Sequence, residues 1–170
     1  MARTVLRRGD GGPSMKHLIP EFEKLKARFP AGFESSLVLP CVRRIQEDRG
    51  FVADADIDGL VEYLGVPRIQ IEEVLSYYTQ FRRAAIGRWH LQACRNVTCS
   101  MRSAERLIDH LSQRLGVAPG QTTPDGVFTL STAECLGSCG TAPVVMVNDT
   151  YHENMTVEKI DRLLDELKGS

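Results

Sequence analysis

The chain has 170 residues, 42% of them hydrophobic and 25% charged, a composition close to that of ordinary globular proteins and far from that of disordered ones. Lys and Arg number 21 against 22 Asp and Glu, and the balance holds along the chain: residues 1–85 carry 13 basic and 12 acidic, the rest 8 and 10. No basic stripe is available for nucleic acid. Apolar runs such as Pro143-Val144-Val145-Met146-Val147 fall far short of the ~20 residues a membrane span needs.

The N-terminus (Met1-Ala2-Arg3-Thr4-Val5-Leu6-Arg7-Arg8) is basic, but no apolar stretch follows, and Asp10 and Gly11-Gly12-Pro13 interrupt it early. It reads as a flexible tail over residues 1–17 rather than a signal or transit peptide. A reducing, cytoplasmic compartment is expected. There, closely spaced cysteines bind metal or do redox chemistry more readily than they form structural disulfides.

After the tail, Phe22, Leu25 and Phe29 share one helical face that ends before Pro30. Leu37, Val38, Cys41, Val42 and Ile45 form a second stripe, closed by Gly50. Asp54 and Asp56 are N-cap candidates for a third helix carrying Ile57, Leu60, Val61 and Leu64, stopped by Gly65. Pro67 starts a fourth, with Ile71, Val74, Leu75 and Tyr78 on one face, and Tyr77, Tyr78 and Phe81 read as core or interface packing. Residues 18–86 are thus expected to form a small helical bundle whose thin core calls for something to pack on.

The pattern changes at Gly87. Trp89, Leu91 and Ala93 alternate with His90 and Gln92, the period of a strand. Ala104, Leu107, Ile108, Leu111 and Leu115 give a helix that Gly116 can close. Val127 to Leu130 follows a Pro124-Asp125-Gly126 turn, and Val144 to Val147 leads through Asn148-Asp149 to Thr150-Tyr151-His152. Val157, Ile160, Leu163, Leu164 and Leu167 mark a last amphipathic helix. The order β-α-β-β-α over residues 87–170 has the shape of a thioredoxin-like domain, so the whole is read as α+β or α/β, a small helical bundle followed by that domain.

Chemistry concentrates in two cysteine pairs, Cys94-x4-Cys99 and Cys135-x3-Cys139. Each pair follows a strand candidate, so both loops can lie at one edge of the sheet. Each iron of a [2Fe–2S] cluster takes two thiolates, which suits two two-cysteine loops, and the compact C-x2-C-x2-C run of many [4Fe–4S] proteins is absent. Gly137 and Gly140 can let the backbone curl around sulfur, and small Ser100 and Ser138 can let N–H groups approach it. Structural zinc also accepts four cysteines, so a zinc-stabilised binding module stays open from spacing alone. Thioredoxin-type catalysis needs C-x-x-C, which is absent. Cys41, on an apolar helical stripe, reads as packing. His17, His90, His110 and His152 are scattered, and the glycines form no phosphate loop. No catalytic residue is singled out. The chain reads as an electron carrier.

The stretches Ala93-Cys94-Arg95-Asn96-Val97-Thr98-Cys99 and Glu134-Cys135-Leu136-Gly137-Ser138-Cys139-Gly140-Thr141-Ala142-Pro143 resemble the small thioredoxin-like [2Fe–2S] subunit family of NADH:quinone oxidoreductase, respiratory complex I. Val145 to Asp149 with Tyr151, Gly120 to Gly126, Ile45 to Val52 and Tyr63 to Pro67 are similar to that family too, so the resemblance covers about residues 18–168. One departure is Ser76-Tyr77-Tyr78-Thr79-Gln80-Phe81, where the family has a small residue and Phe before the Tyr.

The resemblance implies one [2Fe–2S] cluster held by Cys94, Cys99, Cys135 and Cys139. It also implies a larger partner subunit carrying FMN, the NADH site and a [4Fe–4S] cluster, with this subunit's cluster beside the flavin. The expected location is cytoplasmic, peripheral to the inner membrane as part of a larger complex. Equivalent subunits of NAD(P)-linked hydrogenases and formate dehydrogenases are the alternative assemblies. The respiratory one is favoured because no further domain follows the C-terminal helix.

Overall fold

A computed structural model describes residues 15–169. The chain divides into two compact units, split between Ala85 and Ile86. Among the described residues no helix is long and apolar enough to cross a membrane.

Among the described residues the first unit holds four α-helices: α1 (Ile19–Lys26), α2 (Val38–Arg49), α3 (Asp54–Leu64) and α4 (Arg68–Tyr77). Their expected faces meet in one core of Phe22, Leu37, Val42, Ile45, Ile57, Leu60 and Ile71, each 1% exposed or less. The expected helical unit starts at residue 18, but Met15–Leu18 already forms a 3₁₀ turn, with Met15 and Leu18 buried in that core. The rest of the expected tail, residues 1–14, lies outside the described residues.

Two local expectations are corrected. Helix α1 stops at Lys26, so Phe29 is not helical. The N–H groups of Arg28 and Phe29 donate to the carbonyls of Leu25 and Lys26, both at 3.0 Å, a tightening that ends the helix ahead of Pro30. Phe29 still packs against the core. At α3 the N-cap is Ala53, with neither Asp54 nor Asp56 in that position. Asp56 reaches back from the third helical position and accepts the Ala53 N–H at 3.0 Å, the reciprocal arm of a capping box. Its other oxygen accepts from Arg49 Nη1 at 2.5 Å, and the carboxylate is 1% exposed.

The second unit is a five-stranded mixed sheet with helices α5 (Val97–Met101), α6 (Ala104–Leu115) and α7 (Val157–Lys168). Its strands are β1 (Trp89–Cys94), β2 (Gln121–Thr122), β3 (Phe128–Ala133), β4 (Val145–Val147) and β5 (Thr150–His152), arranged β2-β3-β1-β4-β5. Strands β1 and β3 run parallel from Trp89↔Phe128 to Cys94↔Ala133, and the other pairings are antiparallel. Helices α5 and α6 make the crossover that a parallel pair requires.

One face of the sheet (Leu91, Ala93, Phe128, Leu130, Val145, Val147) buries Leu107 and Leu111 of α6 with Ile160, Leu163 and Leu164 of α7. Alternate residues turn to the other face, where polar groups bond one another: His90 Nε2 lies 2.7 Å from Ser131 Oγ, and Thr129 Oγ1 lies 2.7 Å from Thr122 Oγ1. This is the two-residue period read from Trp89 onward. Gly87 enters the sheet so closely that an added Cβ would lie 2.8–2.9 Å from the Val127 and Phe128 backbone. Its N–H donates to Thr129 Oγ1 at 2.6 Å.

Candidate metal centre

The parallel β1–β3 pair determines where the two cysteine loops begin. Cys94 is the last residue of β1 and pairs with Ala133, the last of β3. The Arg95 N–H donates to the Ala133 carbonyl at 2.9 Å, one step further along the same ladder. Both loops therefore leave the same edge of the sheet. Exposed Arg95 and Glu134 face each other across that start at 3.8 Å.

The first loop folds into α5, a single turn that brings Cys99 back beside Cys94. That turn is too short to show a period in the sequence. Both thiols are buried, at 3% and 2% exposure, in a small apolar pocket with Ala104, Ala142, Val144 and Leu136. The Cys94 N–H donates to the Val144 carbonyl at 3.1 Å, which ties this loop to the entry of β4. Burial pushes the Cys99 thiol up to about 11. Its hydrogen bond with Cys94 acts in the same direction, backbone bonding at Val144 opposes, and charge on Cys94 and Cys139 adds a smaller increase. Cys94, Cys99 and Cys139 are thus electrostatic neighbours.

The second loop carries exposed Cys135 and Cys139. Gly137 turns it at φ 74°, a left-handed conformation that side chains disfavour, and its N–H donates to Cys135 Sγ at 3.3 Å. Gly140 shows no positive φ. The hydroxyls of the two serines brace the loops. Ser100 donates to Glu105 at 2.5 Å, which holds that carboxyl below its ordinary value. Ser138 and Thr141 both donate to Glu153 Oε1, at 2.5 and 2.7 Å, with the same effect on Glu153. Tyr151 Oη donates to the Leu136 carbonyl at 3.0 Å. The contacts of Tyr151 and Glu153 span 12 to 15 residues and leave no local period, so the sequence does not disclose them.

Cys41 is fully buried in the helical core of the first unit, where burial pushes its thiol up to about 12. It packs, as its stripe suggests. His17 and His110 pair with Asp48 and Asp161, each at 2.9 Å.

Among the described residues no three Cys, His, Asp or Glu side chains converge on the position of one metal ion. The donor set is four thiols, two on each of two adjacent loops, with an apolar wall and an N–H aimed at sulfur. That chemistry fits a two-iron cluster, which takes two thiolates per iron and is tuned by N–H donors and solvent exclusion.

Fold and thiol pattern together define a thioredoxin-like ferredoxin domain preceded by a helical unit. The family profile of thioredoxin-like [2Fe-2S] ferredoxins matches residues 22–168, and the chain belongs to that family. It is 40% identical over 150 residues to an NADH-quinone oxidoreductase subunit of Rhizobium meliloti, covering 88% of each chain. It is 35% identical over 148 residues to NADH-quinone oxidoreductase subunit 2 of Thermus thermophilus, covering 86% of this chain and 82% of that one. Among solved structures, an air-oxidised NAD+-reducing [NiFe]-hydrogenase superposes with a TM-score of 0.67 at 19% identity, over 78% of this chain and 23% of the hydrogenase chain. That likeness shows the fold alone.

Proposed function

We propose that this chain is the electron-carrier subunit of the NADH-oxidising part of an NADH:quinone oxidoreductase, and that Cys94, Cys99, Cys135 and Cys139 hold its [2Fe–2S] cluster. The observation that carries the reading is the parallel register that ends β1 and β3 at Cys94 and Ala133, so that both thiol pairs spring from one sheet edge. The 40% identity to an NADH-quinone oxidoreductase subunit over 88% of both chains supports the assembly. When bound, the cluster supplies one-electron acceptance and donation.

The chain's own part is to hold and to shield. Ala104, Ala142, Val144 and Leu136 exclude water from the buried thiols, Gly137 directs an N–H at Cys135, and the strand ends fix the spacing of the loops. The partner is the larger FMN- and NADH-binding subunit, which takes hydride at flavin and releases single electrons. The pair belongs to the peripheral arm of a membrane complex on its cytoplasmic side.

Gel filtration and NADH–ferricyanide assays of the isolated chain, and of the chain co-expressed with an FMN- and NADH-binding subunit of an NADH:quinone oxidoreductase from the same source, test the reading. A heterodimer that oxidises NADH, with an isolated chain that holds iron and sulfide in equal amounts and does not oxidise NADH, is expected. NADH oxidation by the flavin-free chain, failure to associate with that flavin subunit, or stoichiometric zinc in place of iron after anaerobic preparation would overturn it.

A further inference from the structure

The segment from Tyr151 to Met155 runs along the second cysteine loop and bonds it at successive points. Tyr151 Oη donates to the Leu136 carbonyl at 3.0 Å, the Asn154 N–H to the Thr141 carbonyl at 2.7 Å, and the Met155 N–H to the Pro143 carbonyl at 2.9 Å. Between them, one oxygen of Glu153 accepts from Ser138 Oγ at 2.5 Å and from Thr141 Oγ1 at 2.7 Å. Ser138 immediately precedes Cys139 and Thr141 follows it by two. A single carboxylate thus joins the two hydroxyls that bracket an exposed thiol.

Resting on the ligand assignment proposed above, we infer that Glu153 is a positioning residue for the cluster, clamping the Cys139 loop and placing a negative charge beside it. Charge-assisted hydrogen bonds are about twice as strong as neutral ones, and here two of them share one acceptor. An exposed loop opens by local unfolding unless such bonds hold it. A nearby anion also disfavours the more negative, reduced form of a cluster, so the carboxylate lowers the reduction potential. At the first loop the comparable brace, Ser100 with Glu105, uses one hydroxyl only.

The full-length chain, loaded with cluster, is the material for the test. Iron release to a chelator and the potential from an EPR-monitored redox titration are compared for wild type, Glu153→Ala, Glu153→Gln and Ser138→Ala/Thr141→Val. Glu153→Ala should release iron roughly tenfold faster and titrate at a higher potential. Glu153→Gln keeps an acceptor oxygen without the charge, so its potential should rise while iron release falls between wild type and Glu153→Ala. The double variant removes the clamp from the other side and should release iron as fast as Glu153→Ala, and combining the two should add nothing. Wild-type release by Glu153→Ala, or an unchanged potential in Glu153→Gln, overturns this inference alone. A wild-type chain that takes up no iron overturns the ligand assignment and this inference with it.

Discussion

Cys94 stands beside Ala133 as the last rung of the parallel β1–β3 ladder. Two residues past Ala133, Cys135 opens the second loop, so the adjacency of two strand ends sets the separation of the thiol pairs. Helix α6 packs against both strands from one side, which leaves the loops beyond the strand ends free to converge.

The first prediction follows from that adjacency. Single replacement of Cys94, Cys99, Cys135 or Cys139 by Ala should abolish or remodel the paramagnetic signal of the reduced protein, because one iron loses one of its two protein thiolates. Iron analysis and EPR of the four variants check it, and a variant with wild-type iron and spectrum would remove that residue from the ligand set.

Cys41→Ala should leave iron content and spectrum unchanged and cost about 1 kcal/mol, as a small truncation in a packed core. The buried thiol also predicts a pH dependence. Its ionisation is pushed from 9.0 up to about 12 in the fold, so between those values the native state binds the extra proton. The contribution is complete below pH 9 and is lost as pH rises towards 12. Urea titrations of wild type and Cys41→Ala across this range should converge as pH rises. In the native protein a thiolate-seeking reagent at about pH 8 should leave Cys41 unlabelled until denaturant is added.

Asp56→Ala should destabilise the helical unit by about 3 kcal/mol. It leaves Arg49 without its buried partner and the Ala53 N–H without its acceptor. Asp56→Asn keeps an acceptor for the N–H and should recover part of the loss. Thermal melts of both variants measure it, and equal losses would show that charge pairing alone matters there.

Gly87→Ala should cost about 2 kcal/mol, because the new Cβ meets backbone atoms that cannot rotate away. Denaturant unfolding checks the size of the effect. A loss of a few tenths would mean that the β1 entry shifts to make room.

Long-period features are the ones legible in the residues. Ile57, Leu60 and Leu64 announce α3, and Leu107 and Leu111 announce α6, because each helix is long enough to repeat its face. Gly50, Gly65 and Gly116 stand at the C-caps of α2, α3 and α6. The one-turn α5 and the two-residue β2 offer no repeat to read. Ala53 is not a capping residue by composition and holds that position only because Asp56 reaches back to it. The four site cysteines declare themselves by spacing. The carboxylate that braces one of their loops does not, because Glu153 meets Ser138 and Thr141 through the tertiary fold.

The chain's single tryptophan lies wholly within the sheet unit. Trp89 donates its indole N–H to the Leu167 carbonyl at 3.1 Å, and the Arg88 guanidinium lies 5.5 Å from the ring centre. Three of the four tyrosines, Tyr63, Tyr77 and Tyr78, belong to the helical unit instead. Indole emission is therefore a private optical channel for the undocking of α7, while tyrosine absorbance weights the bundle. Following both through one melt resolves whether the halves of the chain come apart together or in turn, with no label added.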